Sequence, residues 1–135
     1  MPTESWWEMS SAMWNEAKLS RLAQKILTTL KVRGATLDII LLDNAKIAAL
    51  KARFIKKKTE PNVLSFPEPA HFPHPETKKR YLGEIYLNRD ILKKSPERAK
   101  ALLLHGVLHL LGYDHVKKAD TAKMEGLEKK ILAKL

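Results

Sequence analysis

Cysteine is absent from this 135-residue chain. No disulfide can brace the fold and no thiolate can hold a metal, so a bound ion must rest on nitrogen and oxygen donors. Long apolar runs are missing as well, and no stretch is long enough to cross a bilayer. The opening segment, MPTESWWEMSSAMW, has acidic residues where a signal peptide has basic ones, and no hydrophobic run follows it. The expectation is a cytoplasmic protein with no membrane contact. Acidic residues are the scarcer charge, 15 against 25 lysines and arginines, which leaves +10. A fold needs no such excess, and nucleic acid is the first partner it suggests. The alternative is a basic but otherwise ordinary surface.

With 44% hydrophobic and 30% charged residues, the chain suits one compact globular domain over 1–135. Lysines cluster in KARFIKKK (51–58), in KKR (78–80) and in pairs at 93–94, 117–118 and 129–130. They are either phosphate-tracking patches or solvated helix faces.

Periodicity then predicts the elements. Leu19, Leu22, Ile26, Leu27 and Leu30 form one helical stripe, and Gly34 suits its stop. TLDIILLD (36–43) reads as a buried strand, after which Asp43 caps a helix with Ile47, Leu50 and Phe54 facing inward. NVLSFP (62–67) reads as a second strand. PEPAHFPHPETKKR, with four of the seven prolines, reads as an exposed loop in which His71 and His74 either are solvated or touch a substrate or a stray metal. YLGEIYLN (81–88) reads as a third strand, with Tyr81, Gly83, Ile85 and Leu87 on one face and Leu82, Glu84, Tyr86 and Asn88 on the other. Ser95 and Pro96 have the right chemistry to open the helix SPERAKALLLHGVLHLLG. A last helix from about Asp120 carries Met124, Leu127, Ile131 and Leu135. The fold class is mixed α/β (α+β): a central mixed sheet of three or four strands with helices.

HGVLHLLGYDH (105–115) holds three of the five histidines. His105 and His109, four apart, project from one face of a helix that is apolar nearly all round. Two imidazoles in such surroundings need partners. Gly112 can turn the chain back, so that His115 reaches the same spot. Three neutral imidazoles and a water complete a tetrahedral zinc site with one open position. The other reading is a core helix whose histidines bond to backbone carbonyls. The offsets match the metzincin pattern H-E-x-x-H-x-x-G-x-x-H, except that Gly106 replaces the glutamate that serves metalloproteases as general base. That departure argues against ordinary peptide hydrolysis. Gly106 costs about 1 kcal/mol inside a helix, so something must approach it closely, another backbone or a substrate. Asp114 either orients a ligand histidine from behind or stabilises the turn.

HGVLHLLGYDH resembles the signature of the YbeY family of bacterial rRNA-maturation endoribonucleases. NVLSFP and GEIYLN resemble two further stretches of that family, and the likeness covers about residues 19–135. It implies a small mixed α/β domain with the histidine helix lying across the sheet. It also implies metal dependence, usually with zinc, and action on 16S rRNA and in ribosome quality control. By that resemblance His105, His109 and His115 are the ligands of one Zn2+ per chain. The partners are rRNA and the small ribosomal subunit, and a monomer is expected. Asn62 and Ser65 lie where the family's substrate groove would run, with Lys57 and Lys58 as further substrate contacts. Many members have an arginine implicated in cleavage where this chain has Ile55, and Arg53 or Lys56 would take its place. Pro61 stands where threonine is usual. Members begin with a strand, whereas residues 1–15 do not alternate like one. There Trp7, Ser11 and Trp14 suit a helix face, with the tryptophans as core packing. The expected activity is a metal-dependent endoribonuclease. Its rivals are a metal-dependent hydrolase of another substrate, such as peptide, and a non-catalytic RNA- or ribosome-binding module with a structural zinc.

Overall fold

The computed structural model describes residues 14–54, 63–68, 80–112 and 118–135. In chain order these form α1 (Glu16–Thr29), β1 (Ala35–Leu42), α2 (Asn44–Phe54), β2 (Val63–Pro67), β3 (Arg80–Asn88), α3 (Arg89–Lys94), a 3-10 turn (Pro96–Arg98), α4 (Ala99–Leu110) and α5 (Lys118–Leu132). The three strands make one mixed sheet in the order β1-β3-β2, with β1 parallel and β2 antiparallel to β3. This is the mixed α/β class that the sequence predicts.

Helix α1 starts because Asn15 accepts the Lys18 N–H at 2.8 Å, and its stripe of Leu19, Leu22, Ile26 and Leu27 is buried as predicted. Glu16, in its first turn, accepts the Leu41 backbone N–H at 2.9 Å and so occupies a donor of β1. Trp14 packs against the core and donates its indole N–H to the Pro96 carbonyl at 3.0 Å, which bears out packing as its role. Trp7 and Ser11 lie outside the described residues.

Along β1 the odd positions Ala35, Leu37, Ile39 and Leu41 face the core. Asp43 caps α2 as expected, accepting the Lys46 N–H at 2.8 Å. Ile47 of α2 is fully buried. Lys51, one helical turn further on the same face, is only 7% exposed, so it leaves the basic patch proposed for 51–58.

Strand β3 departs from the expected alternation. Leu82 is buried together with Ile85 and Leu87, not on the face opposite them. The pairing with β1 slips between Thr36↔Tyr81 and Asp38↔Glu84, so β3 carries one extra residue. Such a bulge inverts the order of faces on either side of it. Gly83 makes it feasible: its φ is +132°, and a Cβ there would collide with the Phe66 carbonyl.

Two further differences surround the helix that matters most. A short helix, α3, follows β3 directly, because Asn88 accepts the N–H groups of Asp90 and Ile91 at 3.0 and 3.2 Å. Asn88 is itself buried and donates to the Asn44 side chain at 2.8 Å, which ties the starts of α2 and α3 together. Ser95 does not cap with its side chain; its carbonyl accepts the Arg98 N–H at 3.0 Å in the 3-10 turn that leads into α4.

Helix α4 packs on β2 and β3 and is flanked by α1 and α5. Its Leu103, Leu104, Val107 and Leu108 are fully buried, each worth about 1.5–3 kcal/mol of apolar burial. Met124 and Ile131 bury the inner stripe of α5. None of the described helices is long and apolar enough to cross a membrane.

Candidate metal centre

The apolar wrapping of α4 fixes where its two histidines can go. Burial of Leu104, Val107 and Leu108 sets the rotation of the helix and leaves His105 and His109 side by side, half-buried, on one face. Their Nε2 atoms are 3.0 Å apart, and the rings meet edge to face with centroids 4.5 Å apart. Two imidazole nitrogens on one tetrahedral zinc, each about 2.0–2.1 Å from it, would be about 3.3 Å apart. The two Nε2 atoms are therefore within a few tenths of an ångström of the spacing that one ion requires.

Helix α4 ends where the sequence predicts. Gly112 has φ +101° and donates its N–H to the His109 carbonyl at 3.0 Å, while the Leu111 N–H closes on Val107 at 3.0 Å. A left-handed residue at this place stops the helix and redirects the chain. His115 and Asp114, the predicted third ligand and its neighbour, lie outside the described residues. Among the described residues no three potential ligands converge; His105 and His109 are a pair. The donor set of two imidazoles without thiolates fits zinc.

Gly106 does have close neighbours, and those the fold supplies are side chains, not another backbone. A Cβ at this position would lie 3.1 and 3.2 Å from two atoms of Ile85 and 3.2 Å from the Ser65 hydroxyl. That hydroxyl donates to the Gly106 carbonyl at 3.1 Å. Ser65 thus ties β2 to the histidine helix.

Glu128 escaped the sequence reading. It lies on α5, and its Oε1 is 3.3 Å from His105 Nδ1, the ring nitrogen remote from His109. The signal was available: Glu128 stands four residues after Met124 and three before Ile131, an acid on the inward stripe of an otherwise apolar face.

Of the remaining predicted site residues, Arg53 falls within the described part of the chain. Arg53 is exposed in the last turn of α2, a helix that packs on β1 and β3, whereas the histidines ride on α4 over β2 and β3. Lys56, Lys57, Lys58 and Asn62 lie outside the described residues, as do Ile55, Pro61, His71 and His74. Glu84, half-buried on β3, accepts the Tyr86 hydroxyl at 2.9 Å. Asp38 accepts that of Tyr81 at 2.7 Å. Burial first, and then these carboxylates, raise both phenols above the ordinary tyrosine value, Tyr81 well above it.

Comparison with known proteins identifies the family. The family model described as "Endoribonuclease YbeY" matches residues 7–135. Similar proteins bearing that name occur in Chelativorans sp. (strain BNC1), Rhizobium meliloti (strain 1021) and Vesicomyosocius okutanii. The first is 38% identical over 109 residues, 75% of this chain and 66% of the relative. The second is 33% identical over 132 residues, 89% of this chain and 76% of the relative. The third is 36% identical over 129 residues, 90% of this chain and 87% of the relative. With the signature helix in place, its histidines paired, and a family match that runs to the last residue, the chain belongs to the YbeY endoribonuclease family.

Proposed function

We propose that this protein is a metal-dependent endoribonuclease that acts in rRNA maturation, at the 3′ end of 16S rRNA, and in ribosome quality control. The observation that carries the reading is the His105–His109 pair, with Nε2 atoms 3.0 Å apart on a helix whose sequence is the family signature. In this reading His105, His109 and His115 hold one Zn2+ per chain, and Asp114 supports the set. The bound ion supplies Lewis acidity toward a phosphoryl oxygen of the RNA.

The chain's own residues supply the rest. Net charge of +10 draws the polyanion in, and Arg53, Lys56, Lys57 and Lys58 hold its phosphates. Arg53 or Lys56 stabilises the charge that builds on the scissile phosphate, in the role of the arginine usual in the family. Asn62 and Ser65 line the substrate path. Gly106, in place of a glutamate, leaves the ion without the adjacent base that peptide hydrolysis uses, which favours RNA over peptide as substrate. The protein works in the cytoplasm as a monomer on the small ribosomal subunit.

The deciding experiment incubates zinc-loaded protein with a structured 16S rRNA 3′-end fragment, with and without chelator. Cleavage that chelator abolishes and Zn2+ restores is the expected result. Cleavage indifferent to chelator, or none with any divalent metal, overturns the proposal. Product ends identify the nucleophile, because a 2′,3′-cyclic phosphate arises only from attack by the RNA's own 2′-hydroxyl.

A further inference from the structure

We propose that Glu128 is a positioning residue for the metal centre: its carboxylate accepts the Nδ1–H of His105 and thereby keeps Nε2 of that ring free as the donor nitrogen. The inference rests on the metal reading above and extends it to a residue of another helix, α5.

The geometry supports one assignment of protons. Glu128 Oε1 is 3.3 Å from His105 Nδ1, and His109 Nε2 is 3.0 Å from His105 Nε2. A carboxylate only accepts, so the proton of neutral His105 sits on Nδ1. Nε2 of His105 is then an acceptor, and in the metal-free protein His109 donates to it; ion binding requires that His109 proton to shift to its own Nδ1, whereas His105 is already in the ligating tautomer. Without Glu128 the proton could equally sit on Nε2, where it would block the lone pair that a metal needs. A carboxylate behind a ligand histidine fixes both tautomer and ring orientation and makes the ring a stronger donor.

Position excludes two other roles. Nδ1 and Nε2 lie on different sides of the imidazole, so a carboxylate on Nδ1 is held away from the ion and is not a fourth ligand. For the same reason it cannot stand in for the general base missing at Gly106. The packing suits a positioning role instead. Met124 and Ile131, 0% and 3% exposed, anchor α5 on either side of Glu128. The carboxylate itself is 22% exposed and the imidazole 31%. Neither group fills a core site, so removing the carboxylate leaves the apolar contacts of α5 in place.

The test uses the full chain and measures Zn2+ affinity by competition with a chelator, together with the tautomer of His105 by nitrogen NMR in metal-free protein. Wild type should bind one Zn2+ and show His105 protonated on Nδ1. Glu128→Ala should bind Zn2+ about 10- to 100-fold more weakly and populate the Nε2-protonated ring. Glu128→Gln, whose amide oxygen accepts but carries no charge, should fall between the two. It carries the same comparison on an isosteric background if the alanine variant does not fold. Unchanged affinity in the variants, or weaker binding with an unchanged tautomer, overturns the assignment while the metal reading stands. Failure of the wild type to bind Zn2+ overturns the metal reading itself.

Discussion

The Ser65 hydroxyl donates to the Gly106 carbonyl at 3.1 Å, at the point where the histidine helix comes down on β2. Gly106 has no side chain there because Ile85, fully buried on β3, occupies the space beneath it. Gly106→Ala sets two opposed effects against each other. Alanine gains about 1 kcal/mol in a helix interior. Its Cβ, 3.1 Å from Ile85 and 3.2 Å from Ser65, overpacks a filled core, at about 1–3 kcal/mol. We expect a net loss of about 1 kcal/mol in chemical denaturation. A stabilised variant would mean that Ile85 yields without strain.

The sequence already pointed to a close approach at Gly106, because glycine in the middle of a leucine-rich helix has no other local reason. What approaches was not legible, since Ile85 and Ser65 come from strands 21 and 41 residues away in the chain. The same division holds elsewhere. The stripe of α1, the cap at Asp43 and the stop at Gly112 depend on neighbours within one helical turn, and all three are where periodicity and cap chemistry put them. The bulge at Gly83 reverses the faces of β3 through pairing with another strand, and a period-two reading cannot register that. Helix α3 was overlooked because six residues are too few to establish a period, although Asn88 and Asp90 are good capping residues. Of the centre itself, the His105–His109 pair was readable from the spacing alone. Glu128 was legible only as an acid on the inward stripe of α5; that it meets His105 shows once α5 is seen to pack against α4.

Alkaline pH should act through β3. The Tyr81 phenol is held protonated, first by burial and then by its hydrogen bond to Asp38. A pKa raised in the folded state means that the stability it contributes is complete below the ordinary tyrosine value of about 10 and drains away as pH rises beyond it. Tyr81→Phe should reduce stability at neutral pH and flatten its decline in that alkaline range. Denaturation midpoints at a series of pH values check this. Identical alkaline slopes for wild type and variant would count against the Tyr81–Asp38 coupling.

RNA affinity should fall with salt. On single-stranded RNA each phosphate contact contributes about 0.7 to the slope of log affinity against log salt, through release of condensed counterions. Replacing Lys56, Lys57 and Lys58 together with alanine should flatten the slope by up to about 2 if all three meet phosphates. Lys51→Ala should leave it unchanged, because that side chain is buried. An unaltered slope in the triple variant would put the RNA path on another basic face, such as the exposed Lys129 and Lys130 of α5.

Two histidine substitutions should separate holding RNA from cutting it. His109 is half-buried on α4 with its Nε2 against His105, so His109→Ala removes a proposed ligand and also opens a gap beside packed leucines. A cost of about 1 kcal/mol is reasonable for a partly buried ring, below the range for full core truncations. His115 follows Gly112, which ends the helix, and the leucines that carry α4 all precede it. His115→Ala should therefore keep wild-type stability in metal-free protein. Phosphate contacts dominate affinity, so both variants should retain most of their salt-dependent RNA binding. In the proposed mechanism the ion acts on charge that develops only in the transition state, so both should lose cleavage. Binding and cleavage measured on one preparation make the comparison. If His115→Ala cut at the wild-type rate, the ion could be no more than structural; if it failed to fold, the metal would be holding the domain together and the binding-module reading would gain.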